Sequence, residues 1–399
     1  MPQYRCDTET KKPSIILVHE PGPETAVAVK DPDFWGFDPS LKNDSRSPEQ
    51  WLESARNEHR EMSKALREEG IEVLYLTDLL SKNPDGCRNY LEGEFGRTEP
   101  AIGRFDAEVQ HAIREAQEGM RESPVSGLLM GLESGESFGR LPYPLRREVY
   151  SKLKTLMPQT SLYFTQDPVI SSPNGLIKGR MAMMIRRQEP DVHELALGSE
   201  NYIHRLANRT EGGDATMHAY GSGGDVLYLQ KSMLLGISAL SGEGIEIESE
   251  KITRKGGIQR LVKFYAPDFF DPRKRYATEN VMHLDTIMMP LDNETLLANK
   301  RMMERTVARE GEKPLVNAYE WAMRNNKLRV IEVPDEEQQG TYGWGSNILP
   351  IGNGNILSSA HLKQTNQNLK KAGFRVYEIP STTLTSGFGS FHCMTAYLG

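Results

Sequence analysis

The residues best equipped for chemistry are scattered along the chain. Cys393 lies in "GSFHCMT", after a glycine-rich turn and beside a histidine. His283 and Asp285 stand two apart in "MHLDT", so on a strand both would face one side. Asp167 precedes a proline in "FTQDP", and Asp225 follows two glycines in "GGD". A thiol, an imidazole and a pair of carboxylates are the parts covalent catalysis uses: a nucleophile, a base and groups that hold the substrate. Each has a structural reading as well. Asp167 and Asp225 fit turn or capping positions, His283 fits a core histidine, and Cys393 is inert unless a neighbour activates it. His392 adjoins the thiol, and in an extended segment its side chain would point away from it.

Such groups meet only if the fold brings them together, and the chain carries a pattern that does so. "LYFTQDPVISSPNGLIKGRM", "GGDVLYLQKSMLLGIS", "MHLDTIMMPLDNETLLA" and "SNILPIGNGNILSSA" each pair two apolar runs around a polar turn, a hairpin signature. Marked by Asp167, Asp225, Asp285 and Ser346, they recur about every 60 residues, the mark of a repeated unit. Further strand-like runs follow in "VKFYAP", "LRVIEVP" and "FRVYEIP". Near the start, "SIILVHEPG" and "IEVLYL" read as strands around a helix over Ser47–Gly70. Ser47 offers an N-cap with Gln50 three residues on, and Gly70 a C-cap. Between about 78 and 158 the spacing is helical, as in "DAEVQHAIREAQEGM", which predicts a helical insertion. Repeated α/β modules around an axis would place the start of each hairpin, and so Asp167, Asp225, His283, Asp285 and Cys393, near one centre.

Composition narrows the function classes. The 399 residues carry a net charge of −7, which gives no electrostatic support to nucleic-acid binding. The three cysteines, Cys6, Cys87 and Cys393, are too few for a disulfide framework and fit a reducing compartment. No stretch reads as a signal peptide or membrane span. The expectation is a cytoplasmic enzyme with no membrane or nucleic-acid partner. Self-association into a homo-oligomer stays open. No Cys-x-x-Cys or His-Glu-x-x-His spacing suggests a metal, and no phosphate loop or dinucleotide fingerprint suggests a cofactor.

Taken together, "FTQDP", "GGD", "MHLDT" and "GSFHCMT" resemble the guanidino-group-modifying enzymes, most closely arginine deiminases, with amidinotransferases next. "ILVHEPGPE" and "IRRQE" add to the likeness, which runs through nearly the whole chain. It implies one α/β catalytic domain over residues 1–399, a five-bladed pseudo-symmetric propeller of ββαβ modules with a helical insertion. It also implies covalent chemistry on a guanidinium without a cofactor. Cys393 would attack the central carbon as thiolate. Asp167 and Asp285 would hold the planar cation through paired hydrogen bonds. His283 would protonate the leaving amine and then activate water. The thio-amidinium intermediate would hydrolyse to a urea product, citrulline in the case of arginine, and ammonia would be lost. An amine acceptor in place of water would make the protein an amidinotransferase. A non-catalytic propeller that only binds is the more distant alternative.

Departures from the family pattern bear on the substrate. Asp225, Arg186 and Ser222 are the residues expected to bind the substrate, but Ser222 stands where a glutamate is expected, and a serine supplies no charge. An intact "EGGD" upstream offers Glu211 instead, although the sequence around it reads as a polar loop. Arg186 fits an arginine expected to bind the substrate carboxylate. A second such arginine is replaced by Leu240 or Ser241, and Ser386 stands where arginine deiminases often carry a third. Loss of carboxylate-pairing arginines would weaken binding of free arginine, so the expected substrate is arginine or a related, modified guanidino compound.

Overall fold

The computed structural model describes residues 3–6, 8–206, 220–238, 242–266, 283–339 and 344–399. Among them lie five separate small sheets, each built on the same plan. A first strand runs antiparallel to a second, and the second runs parallel to a third. Val169–Ser172, Gly175–Lys178 and Tyr202–Arg205 form one such sheet. Val226–Leu229, Ser232–Ile237 and Arg260–Tyr265 form the next, which Val307–Arg309 and Val316–Asn317 extend antiparallel to five strands. Met288–Pro290, Thr295–Ala298 and Arg329–Glu332 follow, then Leu349–Pro350, Asn355–Ser359 and Arg375–Ile379. The remaining sheet draws on both ends of the described chain. Ile15–Val18 pairs antiparallel with Ala396–Tyr397 and parallel with Glu72–Tyr75.

A parallel pair needs a long crossover, most often a helix. Each sheet has one: Pro48–Glu68, Glu189–Leu197, Gly242–Gly256, Lys300–Arg305 and Lys363–Lys371. The first of these shows why such segments are helices. The Ser47 hydroxyl accepts from the Gln50 N–H while the Gln50 side chain accepts from the Ser47 N–H, and Pro48 occupies the first turn. Trp51, Ala55, Met62 and Leu66 fall on one stripe and are buried, each large side chain stabilising by about 1.5–3 kcal/mol over exposure. Between the first and second sheets the chain forms the helices Leu76–Ser81, Pro84–Ile102, Ala107–Glu122, Pro124–Met130, Glu136–Arg140 and Tyr143–Leu153. Their apolar faces join those of the first sheet in one large core.

The turns ahead of the first strands matter most for the site. Asp167, Asp225, Asp285, Asn347 and Cys393 each lie one to three residues before the opening strand of a sheet. Each turn is bonded to the next. The Gly223 N–H donates to the Asp167 carbonyl at 2.9 Å, and the Leu284 N–H to Asp225 Oδ1 at 3.0 Å. Ser346 Oγ donates to the Asp285 carbonyl at 3.3 Å, the Cys393 N–H to Asn347 Oδ1 at 3.3 Å, and the Gln166 N–H to the Cys393 carbonyl at 3.1 Å. The two glycines before Asp225 permit the close approach. A Cβ on Gly223 would lie 2.0 Å from the Gln166 carbonyl oxygen, and one on Gly224 would lie 2.7 Å from His283 Nδ1.

Candidate active site

The turns converge on two linked groups of buried side chains. In the first, Asp167 is the hub. Its Oδ1 accepts from Ser222 Oγ at 3.1 Å and lies 3.5 Å from His283 Nδ1. Its Oδ2 accepts from Arg186 Nη1 at 2.6 Å. The Arg186 guanidinium also grips Glu189, with Nε 3.0 Å from both carboxylate oxygens and Nη2 2.8 Å from Oε2. Arg186, His283 and Ser222 line a pocket with Arg180, Met181, Ala182 and Met183, with about 240 Å³ of empty space including its mouth. His283 Nε2 is buried and has no hydrogen-bond partner among the described residues.

Asp285 is the hub of the second group. Its Oδ2 accepts from His392 Nδ1 at 2.8 Å and from the Cys393 thiol at 3.4 Å. Its Oδ1 is buried and without a partner among the described residues. Asn347 Oδ1 accepts from the Ser390 and Cys393 N–H groups and so fixes the turn that carries the thiol. Cys393 itself is 4% exposed. The two groups are electrostatically joined, because the charges of both Asp285 and Asp167 act on the thiol.

The charges follow from this packing. Burial pushes the Cys393 thiol well above the usual cysteine range, and the two carboxylates push it further. Burial also opposes ionisation of Asp167, but Arg186 and His283 outweigh it and hold the carboxyl below the ordinary aspartate value. Glu189 shares the same arginine, and there burial wins and pushes it up to about 7. For His392, burial disfavours the cation, yet the hydrogen bond to Asp285 and the nearby Glu9 push it up to about 10.

The structure thus brings Cys393, Asp285, Asp167, His283, Arg186 and Ser222 into one neighbourhood. Asp225 sits apart from the pocket lining. Its Oδ1 takes the Leu284 N–H and its Oδ2 the Ser238 hydroxyl, which fixes the backbone next to His283. Ser386 turns its hydroxyl onto the Thr383 carbonyl of its own turn. Glu211, Leu240 and Ser241 lie outside the described residues. Sequence reasoning names His392 as a candidate but turns its side chain away from the thiol, and it overlooks three further participants, Asn347, Glu189 and Glu9. His392 belongs to the site because residues 391–394 form a turn rather than a strand, so neighbouring side chains reach the same carboxylate. Asn347 is adjacent to the Ser346 marker of the repeat. Glu189 was legible in "IRRQE" as motif but not as a partner of Arg186. Glu9 carries no local signal. Among the described residues no group of three or more His, Cys, Asp or Glu side chains is arranged to hold a metal ion, and no helix is long and apolar enough to cross a membrane.

Comparison with known proteins agrees with this architecture. The chain is 25% identical to an arginine deiminase of Oenococcus oeni, covering 98% of this chain and 95% of that protein. It is 26% identical to an arginine deiminase of Rhodococcus erythropolis, over 98% and 95% respectively. In fold it is similar to SxtG, an amidinotransferase from Microseira wollei, with a TM-score of 0.56, 12% identity and coverage of 100% of this chain and 97% of that one. A DDAH from Pseudomonas aeruginosa complexed with citrulline gives 0.54 at 14% identity, over 96% and 98%. A sequence model of the family described as arginine deiminase matches residues 48–398, a span that holds Asp167, His283, Asp285 and Cys393, and on that match the chain belongs to the arginine deiminase family.

Proposed function

We propose that the protein is a cysteine-dependent hydrolase of a guanidino compound, with arginine the leading substrate and citrulline and ammonia the products. One observation carries the reading: the Cys393 thiol lies 3.4 Å from Asp285, whose second oxygen is buried and without a partner among the described residues, in a site that also holds Asp167 and His283. An orphaned buried carboxylate oxygen is costly, and a guanidinium N–H would satisfy it. Asp167 Oδ2 already holds one guanidinium, that of Arg186. Substrate entry would exchange one guanidinium for another, leaving Arg186 to face the substrate carboxylate while Glu189 keeps it in place.

The chemistry follows from the charges. Burial, then Asp285 and Asp167, favour the protonated thiol. A cation bound between those carboxylates cancels their effect and favours the thiolate. The thiol proton passes to His283, and the sulfur bonds to the guanidinium carbon. His283 returns the proton to the leaving nitrogen, which departs as ammonia. Water then attacks the thio-amidinium carbon and gives one proton to His283; the carbon–sulfur bond breaks with the electron pair going to sulfur, which takes up the second proton, and the urea product forms. Asp225 and Ser222 act on position rather than bonds: Asp225 holds the Leu284 backbone, and Ser222 orients Asp167.

The five sheets are read as blades of one propeller of ββαβ modules, with the helices of residues 76–153 inserted between the first and second blades. The circuit of hydrogen bonds from turn to turn supports closure around the site. The three cysteines are buried and not paired with one another in a disulfide, which suits a reducing, cytoplasmic setting.

The test is a panel of guanidino compounds offered to the wild-type protein and to Cys393→Ala. Citrulline and ammonia from arginine, lost in the variant, are expected. Ornithine release with transfer to a labelled amine would assign an amidinotransferase. Unchanged turnover by Cys393→Ala would overturn the cysteine mechanism.

A further inference from the structure

Glu9 is a buried carboxylate that the proposed reaction does not use. It comes from the segment ahead of the first sheet, outside the residues matched by the family. That segment is stitched across the molecule. The Gln3 N–H donates to Asn201 Oδ1, the Arg5 N–H to the Leu398 carbonyl, the Cys6 N–H to the Ser172 carbonyl, and Thr10 Oγ1 to Asn293 Oδ1. This path places Glu9 Oε1 3.6 Å from His392 Nε2 and 3.4 Å from Gln166 Nε2. On the other edge of the imidazole, Nδ1 lies 2.8 Å from Asp285 Oδ2. Glu9, His392, Asp285 and the Cys393 thiol therefore form one continuous line, with both carboxylates and the imidazole at most 2% exposed.

We propose that Glu9 and His392 are a positioning pair for the nucleophile's carboxylate: Glu9 keeps the imidazole cationic, and the cation pins Asp285 Oδ2 so that Oδ1 faces the substrate. The inference rests on the guanidino-hydrolase reading, since Oδ1 matters only if it receives a guanidinium. An imidazolium between two buried carboxylates compensates a charge that would otherwise be expensive beside a thiol. The bond at Nδ1 also removes the freedom of the carboxylate to turn. The Tyr397 ring lies 6.4 Å from the His392 ring. Its phenol and that of Tyr228, which feels Glu9 and Cys6, are held neutral, first by burial.

The pair can be tested without relying on turnover. His392 is followed by NMR of ring-labelled histidine in the full chain, with His392→Gln assigning the signal. In the wild type His392 stays protonated through pH 8. In Glu9→Gln its pKa falls by at least about one unit, tenfold in proton affinity, as expected on removing an opposite charge at this range. The alkaline limb of kcat/KM moves to lower pH by the same amount. Glu9→Asp restores part of both. Thr10→Ala, which loosens the same segment without touching the charge, leaves the limb in place. If Glu9→Gln does not fold, Glu9→Asp against wild type makes the same comparison with a smaller shift. An unmoved His392 pKa in a folded Glu9 variant overturns the proposal, even if thermal stability falls. Failure of the hydrolase reading is separate: it shows as turnover retained by Cys393→Ala, whatever the imidazole does.

Discussion

Gly224→Ala tests how tightly the turn of one sheet sets the imidazole of the next. The added Cβ would sit 2.7 Å from His283 Nδ1 and 2.9 Å from Asp167 Oδ1. Ordinary packing starts at about 3.5 Å, so the ring, the carboxylate or the turn must yield by roughly 0.7 Å. The backbone of Gly224 is outside the left-handed region, so alanine adds no conformational strain and the effect comes from the methyl alone. Overpacking of this kind costs about 1–3 kcal/mol, a drop of a few degrees in Tm. Activity should suffer more, because displacement of a catalytic group by about 1 Å costs on the order of a hundredfold. The expected result is a fall in kcat of roughly thirty- to a hundredfold, with KM changed far less. Steady-state citrulline formation measures it, and circular dichroism checks the fold. The control is Gly93→Ala in the helix Pro84–Ile102, where nothing lies within 4 Å of the new carbon. It should gain about 0.5–1 kcal/mol of stability and keep full kcat. A Gly224→Ala protein with wild-type kcat would refute the claim that His283 and Asp167 act from these positions.

Two further predictions concern buried charge. Arg186→Gln leaves Asp167 and Glu189 uncompensated and should destabilise the fold by about 3–5 kcal/mol at neutral pH. Without the arginine, burial raises both folded-state pKa values above the unfolded values near 4, so the deficit grows as pH rises above that value and shrinks as pH falls toward it. Chemical denaturation at pH 5 and pH 8 reads this, and an equal deficit at both would count against it. His59 is fully buried with neither ring nitrogen partnered among the described residues. Burial, then repulsion from His19, Arg60 and Arg67, pushes it down to about 3. Its unfolded form binds the proton first, so the wild type loses about 1.4 kcal/mol of stability per pH unit below 6.5. His59→Leu escapes that loss, and between pH 7 and 5 its unfolding free energy should hold up better by about 2 kcal/mol. Identical pH slopes in the two proteins would contradict the assignment.

The hairpins are legible in the sequence because strand, turn and strand are local. "VISSPNGLIK" and "LPIGNGNILSS" encode both apolar runs and the polar turn between them, and the structure pairs Ile170 with Ile177 and Leu349 with Leu357. The third strands are equally local, as in "FRVYEIP", which becomes Arg375–Ile379. The first sheet is harder to read. Its edge strand, Ala396–Tyr397, is two residues long and reaches its partner from the far end of the sequence. The site divides along the same line. Cys393, His283, Asp285 and Asp167 announce themselves by residue type and by the regular spacing of the turns. His392 is visible as a candidate but is turned the wrong way, because period-two reasoning presumes a strand where the chain turns. Asn347 is hidden because an amide that only accepts backbone N–H groups looks like any loop asparagine. Glu9 is hidden because its contact with His392 depends on how a whole segment crosses the sheets, and no local pattern encodes that. Ser222 reads in sequence as a missing charge, whereas in the structure it donates a hydrogen bond to Asp167.

The central claim is that the sulfur of Cys393 bonds to the guanidinium carbon during turnover. Rapid acid quenching of the protein mixed with arginine, followed by peptide mass analysis, tests this directly. An adduct of the substrate less one ammonia, confined to the peptide holding Cys393 and absent from Cys393→Ala, is the predicted result. Sustained citrulline production by Cys393→Ala, with no adduct on the wild-type peptide, would contradict the account.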